Sequence, residues 1–182
     1  MPFDHFAAIA PIYARVSYSK RDIMREVASL PVSGRLLDVG GGTGRVSSVI
    51  RDLVNEVVIA DVSMGMLKET LHTPLRPVCG GSESLPFADE SFERVIMVDA
   101  LHHVINHAES AREMFRVLKT GGVLVIEEPD IRTFGVTLIA LAEKLLLMRS
   151  DFLAPDKIEK LFDTGKMRIR AEDGTAWVIV QK

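Results

Sequence analysis

The chain has 182 residues, 47% of them apolar and 26% charged, with a net charge of −3 and a pI near 6.0. That length fits one domain with a full core, and the acidic balance excludes a global electrostatic pull toward nucleic acid. A single cysteine, Cys79, excludes an internal disulfide, and the longest apolar segment (134–148) is too short to span a membrane and is interrupted by Glu143-Lys144.

From the N-terminus, Phe3, Phe6, Ala7 and Ala10 fall at helical spacing, and Pro11 is expected to stop a regular helix before Tyr13. A helix is predicted over 21–30, ended by Pro31. A strand over 35–39 then runs into Gly40-Gly41-Gly42-Thr43-Gly44, and a helix over 45–53 follows. Further strands are read over 56–60, 76–79, 94–98 and 123–127, with helices over 65–71, 107–118, 134–148 and 155–163. Gly165 stands where a helix C-cap is expected. At the C-terminus 167–170 and 175–180 flank Asp173-Gly174, a strong hairpin signal. Alternating strands and helices argue for an α/β fold whose parallel sheet is covered on both faces.

The glycine turn is the most informative feature. Glycines there let a ligand approach the backbone, and the unpaired N–H groups of the following helix favour an anion. A dinucleotide fingerprint starting at Gly40 needs glycine at position 45, where this chain has Arg45. A phosphate-binding loop needs Gly-Lys-Ser/Thr, and Gly44-Arg45-Val46 does not supply it. Asp38, two residues before Gly40, suits a ligand with a positive charge as well as a carboxylate, such as S-adenosylmethionine. Asp61 closes the next strand, where an acid can accept hydrogen bonds from both ribose hydroxyls. Two plainer roles compete: Asp38 bonding its own loop, and Asp61 capping the helix that begins near Ser63.

At these residues the chain resembles the class I S-adenosylmethionine-dependent methyltransferases, of the small-molecule kind that includes the ubiquinone and menaquinone C-methyltransferases. The likeness extends to Phe3-Asp4-His5-Phe6-Ala7, Ala10-Pro11-Ile12-Tyr13, Leu85-Pro86-Phe87-Ala88-Asp89, Ala100-Leu101-His102-His103-Val104 and Arg116-Val117-Leu118-Lys119-Thr120-Gly121-Gly122. It implies a Rossmann-like doubly wound sheet of seven strands, mostly parallel, with the last strand antiparallel. It further implies one methyltransferase domain over 1–182, with a helical lid over 1–30 and a cofactor-binding core over 34–182. S-adenosylmethionine would be held by Asp38, Gly40, Gly42, Gly44, Asp61, Val62, Met64, Ser82, Glu83 and Asp99. Two departures matter: Gly81 stands where many relatives carry an acid for the adenine amino group, and Ala14 where quinone methyltransferases often show one.

Methyl transfer asks the protein mainly for orientation and electrostatics, because the cofactor carries the reactive group. His102 and His103 follow the fourth strand and are the candidate proton acceptors, with Tyr13 and Leu101 at the acceptor. Glu127, Glu128 and Asp130 could orient the acceptor. No metal is expected, although His103 and His107 are four apart, and Val78 before Cys79 lacks the Pro-Cys pair of cytosine methyltransferases. The Asp/Asn-Pro-Pro-Tyr signature for amino acceptors is absent too, so a nucleic-acid partner is not expected. The segment 134–148 is apolar around most of its circumference, which by default means a buried core helix. The alternatives are a pocket wall or a dimer contact. The expected function is methylation of a small, apolar molecule by a cytoplasmic enzyme. The rivals are a cofactor-binding accessory protein without turnover and an NAD-dependent oxidoreductase, the latter disfavoured by Arg45.

Overall fold

Successive residues of a strand face opposite sides, so an unbroken apolar run needs cover on both. Leu36, Val57, Ile59, Ile96 and Val125 join one cluster with Met24, Val27, Val46 and Ile50. Their neighbours Leu37, Val58, Val95, Leu124 and Ile126 join another with Ala111, Met114, Ile158 and Phe162. The computed structural model describes residues 6–8, 10–145 and 150–182. Its strands are β1 (Arg35–Val39), β2 (Glu56–Asp61), β3 (Arg76–Cys79), β4 (Phe92–Val98), β5 (Leu118–Pro129), β6 (Lys166–Glu172) and β7 (Thr175–Gln181). They form one seven-stranded sheet in the order β3-β2-β1-β4-β5-β7-β6. The pairs among β1 to β5 are parallel, and β7 runs antiparallel to both β5 and β6. This is the Rossmann-like methyltransferase topology with its reversed last strand. Asp173 and Gly174 both take positive φ, 48° and 74°, as the tight turn between β6 and β7 requires.

The helices are α1 (Ala10–Tyr13), α2 (Arg21–Val27), α3 (Arg45–Ile50), α4 (Met64–Lys68), α5 (His107–Val117), α6 (Phe134–Leu145) and α7 (Pro155–Glu159). Residues of α2 and α3 cover one face of the sheet, and residues of α5 and α7 the other. No helix among the described residues is long and apolar enough to cross a membrane.

Several expected boundaries move. Pro11 lies inside the first turn of α1, where its missing N–H costs nothing, so it starts this helix rather than stopping one. Pro31 does not end α2. The helix stops at Val27 because Ser29 turns left-handed (φ 50°), and Leu30 N–H closes back on Arg25 O at 2.8 Å. Gly165 caps no helix, since α7 ends at Glu159; its φ of 108° serves the approach to β6. β4 and β5 both begin early, at Phe92 and Leu118, with a register shift between Phe92 and Arg94.

The buried-helix reading of 134–148 is corrected for its described part. Val136 and Ala140 are buried, whereas Phe134, Leu138 and Leu141 are 79%, 51% and 55% exposed, because α6 packs along one side only. Residues 146–149 lie outside the described residues, as does Phe3.

The expected lid over 1–30 divides. Tyr18, Met24, Val27, Ala28 and Leu30 belong to the core. The Tyr18 hydroxyl donates to buried Glu127 at 2.6 Å, Trp177 Nε1 donates to the same carboxylate at 2.8 Å, and Lys20 Nζ adds an ion pair at 3.2 Å. Burial, reinforced by the Glu127 charge, raises the Tyr18 phenol far above its usual range. Nearer the N-terminus, Ala7 packs against Gly65 at the start of α4, where a Cβ would come within 2.3 Å of the Ala7 Cβ.

β1 is flanked by β2 on one side and β4 on the other, so successive connections leave it in opposite directions. Such a switch point opens a crevice at the C-terminal ends of the strands.

Candidate active site

The crevice is a cavity of about 250 Å³ at the ends of β1, β2 and β4. Gly40 (φ 70°) and Gly42 (φ 55°) form its floor in conformations that side chains rarely adopt. A Cβ on Gly40 would lie 2.6 Å from the Ala100 Cβ, so the loop can pass there only as glycine. On Gly42 a Cβ would meet nothing closer than 3.9 Å and would project toward Asp61 Oδ2 and Met66 Sδ.

Asp38 closes one end. It is 1% exposed; its Oδ2 accepts from Ser47 Oγ at 2.7 Å, and its buried Oδ1 has no hydrogen-bond partner among the described residues. Burial pushes its carboxyl up to about 7, with Ser47 and Arg45 pulling against that and Asp61 adding to it. Asp61 accepts from Gly42 N–H at 2.9 Å and from Ser63 N–H at 2.8 Å, and so ties the glycine loop to the end of β2. It is not the helix cap, since Ser63 Oγ itself accepts from Met66 N–H at 3.1 Å.

Gly80, Ser82 and Glu83 line the opposite end with Val62. Ser82 Oγ lies 2.7 Å from Ser110 Oγ, and Glu83 Oε1 accepts from the Ile105 and Asn106 N–H groups at 3.3 and 3.4 Å. These contacts fasten the loop after β3 to the start of α5. Asp99 adopts φ 51° and receives Arg45 Nη2 at 2.5 Å. Phe6, Tyr13, His103, Val104 and Ile105 give the cavity an aromatic and aliphatic mouth.

Four expected site residues stand outside this lining. Gly44 caps α3, and a Cβ there would strike Leu75 Cδ1 at 2.7 Å, so it serves packing beneath the loop. Met64 is 53% exposed at the start of α4. Leu101 is buried in the core beneath the loop after β4. His102 turns to Glu128, with Nδ1 2.5 Å from Oε2, and stacks on Phe152 at 4.2 Å. Glu128 Oε1 already accepts the Ala100 and Leu101 N–H groups at 2.9 and 2.7 Å. A carboxylate only accepts, so Nδ1 carries the proton that faces Glu128.

His103 belongs to the cavity and also to a smaller hollow shared with His102, Ser150 and Asp151. Its ring lies 4.0 Å from that of His102 and 5.2 Å, edge on, from Phe6. Glu127 and Glu128 are committed internally and Asp130 to Arg132 at 2.7 Å, so none of the three lines the cavity. None of residues 131–138 lines it either, and among the described residues no group of three or more His, Cys, Asp or Glu could hold a metal.

Residues 37–126, which supply all of this lining except Phe6 and Tyr13, match the family described as "Methyltransferase domain". The chain belongs to the class I S-adenosylmethionine-dependent methyltransferases. A demethylmenaquinone methyltransferase of Renibacterium salmoninarum is 37% identical over 118 residues, 64% of this chain and 49% of that protein. A Pseudomonas putida ubiquinone/menaquinone biosynthesis C-methyltransferase is 36% identical over 114 residues, 57% of this chain and 44% of that protein. The chain thus spans about half the length of these curated relatives. A possible histamine N-methyltransferase of Thermotoga maritima superposes with a TM-score of 0.78 over 97% of this chain and 98% of its own, at 22% identity, which speaks for the fold alone.

The methyltransferase residues fit S-adenosylmethionine, the family's cofactor. The partnerless Asp38 Oδ1 can receive an ammonium, and the cradle at Gly40 has no room for a Cβ. The raised Asp38 value has a measurable consequence. Its folded-state value lies above its unfolded one, so between about pH 4 and pH 7 the folded chain holds a proton that the unfolded chain has released. Stability from this group therefore falls as pH rises through that window. A cationic group bound beside Asp38 favours the carboxylate, so affinity for S-adenosylmethionine is expected to rise from about pH 6 to about pH 8. Calorimetry should show that rise flattened in Asp38→Asn; an equal rise in the variant would detach it from Asp38.

Sequence reasoning used Arg45 only to exclude a dinucleotide fingerprint and passed over the Tyr18–Glu127–Trp177 hub. An arginine opening the helix straight after a glycine loop was the one available signal for the first. The hub joins residues more than a hundred positions apart and left no local trace.

Proposed function

We propose that this chain transfers the methyl group of S-adenosylmethionine to a small, mainly apolar molecule, acting as one domain. The observation that carries the reading is the make-up of the cavity, whose lining joins carboxylates, glycine backbone and Ser82 to Phe6, Tyr13, His103, Val104 and Ile105. An aromatic and aliphatic mouth suits a ring or acyl chain. The names of the relatives make demethylmenaquinone the first acceptor to test.

When bound, the cofactor supplies an electrophilic methyl group on a sulfonium. Asp61 holds the ribose hydroxyls, and the residue 40–44 loop offers its backbone to the methionyl portion beside Asp38. Val62, Ser82 and Glu83 would hold the adenine. Phe6 and Tyr13 shield the acceptor from water. His103, on the cavity wall, takes the acceptor's proton at a ring nitrogen. His102, oriented by Glu128, supports that ring from behind as a positioning residue.

Binding without turnover is the second reading. It is favoured by the commitment of His102, one of two candidate bases, to Glu128 and Phe152. Methyl transfer from labelled S-adenosylmethionine to a panel of quinols, phenols and amines separates the two. Transfer to an apolar acceptor is expected. Tight cofactor binding with no transfer to any member would favour the second reading, and activity confined to RNA or protein would overturn the first.

A further inference from the structure

We propose that Arg45 is the carboxylate-binding residue of the site and makes it selective for ligands that carry a complete α-amino-acid group. The inference rests on the cofactor reading above and deepens it at the methionyl end.

Arg45 opens α3 immediately after the glycine loop, yet its side chain is only 17% exposed and lines the cavity. Asp99 holds it there through Nη2, and the Tyr18 ring lies 5.9 Å from the guanidinium carbon. Both neighbours are themselves fixed. The Asp99 N–H donates to Glu127 O at 2.9 Å, and the Tyr18 hydroxyl donates to the Glu127 carboxylate. A guanidinium has five N–H groups, and among the described residues the hydrogen bond to Asp99 engages one nitrogen. The remaining donors can meet a planar carboxylate, the partner their fork matches best.

Asp38 supplies the opposite charge nearby, close enough for Arg45 to lower its titration. One end of the cavity therefore presents a positioned guanidinium and a buried carboxylate with a partnerless oxygen. That pair is complementary to a zwitterion, carboxylate toward Arg45 and ammonium toward Asp38. The end built by Gly80, Ser82 and Glu83 offers no such pair and is left to the nucleoside.

The test uses two ligands that share the adenosine and thioether but differ in the amino-acid group: S-adenosylhomocysteine and 5′-methylthioadenosine. Calorimetric titration of the parent protein, Arg45→Gln and Arg45→Lys is expected to separate them. Arg45→Gln should weaken S-adenosylhomocysteine by roughly 10- to 100-fold and leave 5′-methylthioadenosine within about twofold. Arg45→Lys should recover part of the loss, as a point charge without the fork. Retained affinity for 5′-methylthioadenosine also reports that each variant is folded. Equal weakening of both ligands would assign Arg45 a merely structural role, and no weakening of either would remove it from the site. If the parent protein binds neither ligand, the cofactor reading itself fails and this inference with it.

Discussion

Replacing Asp61 with alanine is expected to weaken S-adenosylmethionine binding by about 1–3 kcal/mol, or roughly 5- to 150-fold in Kd. Asp61 acts twice. It pins the loop through Gly42 N–H and braces Ser63 N–H, and the same carboxylate is the acceptor proposed for the ribose. Removing it leaves two backbone donors without that acceptor at the place where the ligand must lie. Gly42→Val should do at least as much harm by a different route. Space around its Cβ is open to 3.9 Å, but φ is 55° and a β-branched residue rarely adopts it. The branch would also project into the gap beside Asp61. Titration of both variants, with a cooperative thermal transition as the check on folding, should show the two losses. Unchanged affinity in both would move the cofactor to another part of the molecule.

Removing His103 is expected to lower the single-turnover methyl-transfer rate by about 100-fold or more, with cofactor Kd within about twofold. The ring lines the cavity, with Phe6 on one edge and His102 at 4.0 Å. His102→Ala and Glu128→Gln should act through it. The first removes the ring that supports His103 and the second loosens it from Glu128, so the rate should fall less steeply than in His103→Ala. Glu128→Gln keeps an oxygen for the Ala100 and Leu101 N–H groups, which separates loss of charge from collapse of the loop. Full single-turnover rates in His102→Ala and His103→Ala would remove the base from the mechanism. A fall in rate matched by an equal fall in cofactor affinity would make these residues part of the binding site instead.

What was legible in the sequence is what neighbouring residues decide. β1 falls where its apolar run places it, because a strand covered on both faces shows as a continuous run with a sharp end at Gly40. The Asp173-Gly174 hairpin was legible because the turn itself demands positive φ at both positions. The glycine loop and Asp61 were readable for a similar reason: backbone approach and a strand-end carboxylate are local chemistry with a fixed spacing.

Tertiary structure decided everything that depends on which elements become neighbours. Pro31 looked like a helix stop, but a left-handed Ser29 ended α2 earlier, its helix-closing bonds not written in residue type. The apolar segment 134–148 read as buried, yet α6 finds cover for only one side, and the hydropathy of a helix cannot say how many neighbours it will have. His102 and His103 are adjacent in the chain and equivalent by composition. Glu128, brought in from the next strand, draws one inward and leaves the other on the cavity wall. Arg45 became a site residue only when Asp99 and Tyr18, from β4's far end and the N-terminal segment, converged on it. The sequence by itself determined the strands, the loop and the cofactor class, because those follow from period and backbone freedom. The assignment of charge and proton chemistry waited on the fold, because a pair energy exists only once two distant residues share one cavity.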